Sequence, residues 1–164
     1  MAVCLDIIPE EIVINLPGGD RASALHHLAT VLSREVRVPT QTISSALLGR
    51  ERMGSTAIGG GVAVPHALLT DIAEPAKCLA ILKHPIWFDA PDSEPVSVLL
   101  ALLWPTSHEN SYLPSLAGLM RRLRDPKLRE ALAAAQSVEE AALALSVSSD
   151  REITKNYANP LSYL

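Results

Sequence analysis

The run from Val96 to Trp104 is the longest strongly apolar stretch of the chain; only Ser97 interrupts it, and Pro105 stops it. A bilayer-spanning helix needs roughly 20 apolar residues, so this run is too short to cross a membrane and reads as a buried strand. A second strand is expected over Ala76 to Leu82, with Asp89-Ala90-Pro91-Asp92-Ser93-Glu94-Pro95 as the turn between the two. A short first strand, Ile12-Val13-Ile14, leads into the turn Pro17-Gly18-Gly19-Asp20.

Helices fill most of the remainder. Asp20 is placed to cap a helix in which Leu25, Leu28, Ala29 and Leu32 recur at helical spacing through about Glu35. Thr40 is expected to cap a second, with Ile43, Ala46, Leu47 and Leu48 inward. Past the apolar strand, the spacing of Leu116, Leu119, Met120 and Leu123 predicts a helix over about Ser111 to Arg124. Asp125-Pro126 starts another, ending near Ala135, and Ser137-x-x-Glu140 is a capping box for a last one. From Val147 onward periodicity is lost. Residues 1–146 therefore read as one α/β layered domain, and 147–164 as a tail that is flexible or irregularly docked.

Composition narrows the function classes. The 164 residues are 48% hydrophobic but only 4% aromatic, enough for a single core built of Leu, Ala, Val and Ile. A net charge of −4 argues against a nucleic-acid binder that relies on bulk positive charge. Cys4 and Cys78 are far apart, with no Cys-x-x-Cys or Cys/His ligand spacing, so each reads as a small buried hydrophobe in a reduced, metal-free protein. Acidic residues (Asp6, Glu10, Glu11) stand where a secretory signal would be basic, and the cytosol is the expected compartment.

The chemistry concentrates in Arg50-Glu51-Arg52-Met53-Gly54-Ser55-Thr56-Ala57-Ile58-Gly59-Gly60-Gly61-Val62-Ala63-Val64-Pro65-His66-Ala67. A glycine-rich turn feeds a short strand that presents an imidazole at its end on a prolyl step. The glycines lack the Lys-Ser/Thr of a P-loop and make no nucleotide site. Arg50-Glu51, Gly54-Ser55-Thr56, the glycines and Ala63-Val64-Pro65-His66-Ala67 together resemble the signature of the type-2 enzyme IIA domains of the bacterial phosphotransferase system, the fructose/mannitol and nitrogen-regulatory class. The resemblance covers roughly Asp6 to Ala144. It implies a mixed β-sheet flanked by α-helices, with the active histidine at the sheet's edge. Phe88 to Val96, the apolar strand and Pro105 look like the free-standing nitrogen-regulatory members, and the absence of a fused permease segment favours that subclass.

In the family the matching histidine carries a phosphoryl group, so His66 is the implied acceptor. Nucleophilic attack on phosphorus needs a neutral imidazole, and phosphoryl transfer needs donors around the equatorial oxygens. By the resemblance Arg50 is the phosphate-stabilising arginine, and Ser55 and Thr56 lie near the phosphoryl group. The backbone N–H groups of residues 54–56 and 59–61 are further candidate donors. Tyr112 falls where family members usually carry a second histidine. His108, four residues earlier, would share its face if the helix began early, and is otherwise an exposed loop residue. His26 and His27 are adjacent on a helix and cannot chelate one metal together; His84 ends a strand without a ligand partner. The cluster Arg121-Arg122-x-Arg124-x-x-Lys127-x-Arg129 reads as a solvated face or a dock for an acidic partner.

No cofactor and no metal are implied. The partners implied are a histidine-containing phosphocarrier and either a regulated protein or a IIB domain, without nucleic acid or direct membrane insertion; a homodimer stays open. Three roles follow: a phosphohistidine relay that signals through its phosphorylation state, a sugar-transport component, or an interaction module whose histidine no longer turns over.

Overall fold

The computed structural model describes residues 6–157, with side chains described to residue 148. A mixed sheet lies between two helical layers. Its strands are β1 (Ile12–Leu16), β2 (Ala57–Gly59), β3 (Val62–Ala63), β4 (His66–Leu69), β5 (Ala76–Ile86) and β6 (Val96–Pro105). The order is β1-β5-β6-β3-β2, with β4 also on β6. The helices are α1 (Arg21–Val36), α2 (Thr40–Arg52), α3 (Glu109–Arg122), α4 (Pro126–Ala134) and α5 (Val138–Tyr157).

The apolar run becomes β6, the strand on which the sheet is organised. One edge pairs antiparallel with β5, Leu79 opposite Leu100. The other carries two short parallel strands in succession: β3, with Val62 beside Val98, then β4, with His66 beside Leu102. Every residue of β6 except Ser97 is buried. Alternate side chains serve opposite faces, as strand geometry requires. Leu99, Ala101 and Leu103 pack with α1 and α2 through Leu25, Leu28, Leu32, Ile43 and Leu47. Leu100, Leu102 and Trp104 pack with Leu116, Leu119, Leu128 and Leu132 from the opposite layer. Helices cover both faces, so the strand reads as continuous hydrophobicity rather than alternation.

Local expectations meet the structure unevenly. Asp20 caps α1, its carboxylate accepting from the Ser23 N–H at 2.7 Å, and Asp125 caps α4 by accepting from Lys127 N–H. Ser137 accepts from Glu140 N–H, while the Glu140 carboxylate reaches the N–H of Gln136. Thr40 is not the cap of α2: Pro39 occupies that position and no side chain bonds there. His66 opens β4 instead of ending a strand. Pro65 has no N–H for the ladder, so the chain pairs with β6 in two pieces while the Pro65 carbonyl still accepts from Leu102 N–H at 2.9 Å. β5 passes His84-Pro85 and reaches Ile86 across a register shift between Ile81 and Ile86. Helix α5 continues to Tyr157, so the irregularity expected from Val147 does not hold there. Residues 158–164 and Cys4 lie outside the described residues.

Candidate functional site

Helix α2 delivers Arg50 in its last turn, and the β3–β4 break delivers His66. Arg50 spans two acceptors: Nε donates to His66 Nε2 at 3.1 Å and Nη1 donates to the Gly54 carbonyl at 2.9 Å. On the far side of the ring, Nδ1 lies 2.7 Å from the Val64 carbonyl oxygen. A carbonyl can only accept, so Nδ1 carries the proton and Nε2 keeps the lone pair. His66 is 5% exposed. That burial pushes its pKa below 6.5, and the Arg50 charge pushes the same way, against the opposing influences of Val64 and Glu51. The result is a neutral imidazole at neutral pH with its lone-pair nitrogen fixed toward a guanidinium.

The ring lines a cleft of about 550 Å³ shared with Arg50, Met53, Tyr112, Leu113 and Met120. Tyr112 comes from α3 and its ring centroid lies 5.8 Å from that of His66. On its other side it meets Trp104, the fully buried end of β6, at 6.1 Å. Burial raises the Tyr112 pKa above 10, so its phenol remains protonated beside the imidazole. Met53 and Leu113 are 83% and 68% exposed and give the cleft an apolar rim.

The family model for the phosphoenolpyruvate-dependent sugar phosphotransferase system, EIIA 2, matches residues 7–147. The chain belongs to the type-2 enzyme IIA family. A nitrogen regulatory protein of Escherichia coli is 39% identical over 118 residues, covering 71% of this chain and 72% of that one. A nitrogen regulatory protein of Pseudomonas aeruginosa is 33% identical over 134 residues, covering 81% and 87%. The crystal structure of nitrogen regulatory protein IIA-Ntr from Neisseria meningitidis superposes with a TM-score of 0.79 at 28% identity, over 85% of this chain and 96% of that one. The layered mixed sheet is thus the enzyme IIA fold, and the chain is a phosphotransferase-system component.

Not every residue singled out in the sequence reaches the cleft of this enzyme IIA protein. The Ser55 hydroxyl donates to the Phe88 carbonyl and accepts from Ala57 N–H. Thr56 is 3% exposed, and its hydroxyl donates to the Glu51 carboxylate at 2.6 Å. Both side chains secure the loop rather than line the cleft. Nor do the glycines turn toward His66. Gly59, Gly60 and Gly61 take positive φ angles of 89°, 64° and 76° in the β2–β3 turn, and the Gly60 N–H donates to Asp92 at 2.7 Å.

Helix α3 does begin early, at Glu109, yet His108 remains exposed. Its carbonyl accepts from Trp104 Nε1 and Ser111 Oγ, while its side chain stays outside the cleft. His26 is exposed and its neighbour His27 half-buried, and His84 is exposed. The basic cluster is divided: Arg122 reaches the Leu145 carbonyl of α5, and Arg129 packs over Gly60. Among the described residues no group of three or more His, Cys, Asp or Glu is placed to hold a metal, and no helix is long and apolar enough to cross a membrane. Cys78 is buried, its thiol pushed up to about 12 chiefly by burial, which leaves it unreactive.

Two contributors escaped the sequence reading. The Val64 carbonyl sets the His66 tautomer, and a backbone acceptor leaves no trace in residue type. Glu51 is a carboxylate at a helix C-terminus, where the macrodipole disfavours it; that misplacement is a signal legible in the sequence.

Proposed function

We propose that the chain is a phosphohistidine carrier that accepts a phosphoryl group on Nε2 of His66 from a histidine-containing phosphocarrier and reports its phosphorylation state to a regulated protein in the cytosol. The observation that carries this is the fixed tautomer, Nδ1–H on the Val64 carbonyl and the Nε2 lone pair turned to Arg50. The lone pair forms the new P–N bond as the donor's P–N bond breaks and its electron pair returns to the donor nitrogen. Arg50 must release Nε2 for this attack. A hydrogen bond from the guanidinium to a neutral imidazole is exchanged for bonds to phosphoryl oxygens, in which both partners carry charge and which are stronger for it. Tyr112 is suited to donate one further hydrogen bond at the same cleft, though it cannot become cationic as a second histidine would.

The apolar rim of Met53 and Leu113 suits a protein donor, because it offers surface to bury around a small reactive centre. The nitrogen regulatory names of the relatives support a regulatory output over delivery to a IIB domain. Incubation with enzyme I, the phosphocarrier and phosphoenolpyruvate should place one acid-labile phosphate on Nε2 of His66, located by NMR of the phosphorylated imidazole. His66→Ala should remove it without unfolding the protein. Label that persists on this variant would refute the assignment, and transfer of the label to an isolated IIB domain would favour the transport role.

A further inference from the structure

Glu51 stands next to Arg50 but faces away from the cleft, and its environment is unusual for a carboxylate. It is 4% exposed. A buried charge requires compensation, and here three donors supply it. Thr56 N–H lies 3.1 and 3.2 Å from the two carboxylate oxygens, and the Thr56 hydroxyl donates to one of them at 2.6 Å. Arg21, at the start of α1, brings Nη1 to 3.6 Å.

The bonds do not stop at Thr56. Its carbonyl accepts from Val64 N–H at 3.0 Å, and the Val64 carbonyl is the group that holds Nδ1–H of His66. A continuous path of contacts therefore runs from the Glu51 carboxylate through the Thr56 and Val64 backbone to the imidazole. The same loop is tied at Gly54 by Arg50 Nη1. Adjacent residues on α2 thus divide the site: Arg50 touches the reacting nitrogen, and Glu51 anchors the strand that orients it.

We propose that Glu51 is a positioning residue for His66, acting through Thr56 and Val64 to hold the imidazole as the Nδ1–H tautomer with Nε2 free to react; this role rests on the carrier reading above. The link is mechanical: the buried carboxylate fixes the Thr56 backbone, Thr56 fixes Val64, and the position of the Val64 carbonyl follows. Outer groups of this kind matter because a misplacement of 1 Å can cost about 100-fold in rate.

The test reads the tautomer directly. Nitrogen-15 NMR of the His66 ring, recorded above the ordinary imidazole pKa of 6.5, should show the Nδ1–H form dominating in the unaltered protein. Glu51→Gln removes one acceptor oxygen and puts an amide donor against Thr56. The Nδ1–H fraction should fall, and single-turnover phosphoryl acceptance should slow by roughly tenfold or more. Thr56→Val deletes the hydroxyl alone and should shift the tautomer in the same direction by less. A folded Glu51→Gln protein with the unaltered tautomer and rate would overturn the proposal. Should that variant fail to fold, an unchanged tautomer in Thr56→Val would overturn it instead. The tautomer is read with no phosphoryl donor present. Failure of the carrier reading would appear separately, as the unaltered protein taking up no label on His66.

Discussion

Replacing Arg50 with lysine keeps the charge at the end of α2 but removes the fork, and the two consequences have different sizes. In the resting protein Arg50 makes two hydrogen bonds in opposite directions, to His66 Nε2 at 3.1 Å and to the Gly54 carbonyl at 2.9 Å. A single ammonium on a flexible stem reaches one of them. Losing the other costs about 0.5–1.5 kcal/mol of stability, a drop in melting temperature of about 2–4 °C per kcal/mol for a domain near this size. During transfer the loss is larger, because the missing N–H groups would have faced phosphoryl oxygens carrying charge. Hydrogen bonds to charged groups are worth about 1.5–3 kcal/mol. At 1.36 kcal/mol per tenfold, phosphoryl acceptance should slow about 10- to 150-fold. Rapid-quench single turnovers with radiolabelled phosphocarrier would measure this step, with the melting temperature recorded beside it. An Arg50→Lys protein that accepts phosphate within about twofold of the unaltered rate, while losing the expected stability, would show that Arg50 serves only the loop.

Two further outcomes follow from the same cleft. Tyr112→Phe should slow phosphoryl acceptance if the hydroxyl serves the phosphoryl group, while Tyr112→His should steepen the pH dependence of transfer near the imidazole pKa by adding a protonatable neighbour. A pH–rate profile identical to the unaltered protein in both variants would remove Tyr112 from the reaction. The lowered pKa of His66 also links folding to pH: below 6.5 the unfolded chain takes up a proton that the folded protein refuses, so stability falls with pH from 6.5 down through the folded-state pKa and is unaffected above 6.5. Denaturant unfolding of the unaltered protein and His66→Gln should therefore differ by an amount that changes only in that acidic window; a difference constant with pH would contradict the burial argument.

The sequence exposed the parts of the fold whose signals are local. Asp20 and Asp125 announce helix starts because a cap acts within three residues of itself, and β6 announces itself because both of its faces are buried. The break at Pro65 leaves no such local signal. Whether His66 ends one strand or begins another depends on β6 accepting two separate partners, with Val98 opposite Val62 and Leu102 opposite His66, and that pairing lies far downstream of the motif. The same holds for Ser55 and Thr56. Their types suit a phosphate, but the buried carboxylate of Glu51 and the Phe88 carbonyl claim their hydroxyls first. His66, Arg50 and Tyr112 converge as the motif resemblance implied, whereas His108 shows that a shared helix face does not suffice when the residue sits at the exposed cap.

Because β3 and β4 both pair with β6, the placement of His66 depends on a strand made after it. When a ribosome has released the chain only as far as Leu69, β4 has no partner, β3 has only β2, and α1 and α2 have only part of the surface they cover. Synthesis at about 5–20 residues per second leaves β4 unpaired for seconds before Pro105 emerges. The closing of β6 between β5 on one edge and the two short strands on the other is a single long-range event, of the kind that slows folding more than helix formation does. Its completion seats β3 and β4 together, so a nascent chain cut short of β6 would carry the whole motif without the strand that holds Val62 and His66 in place.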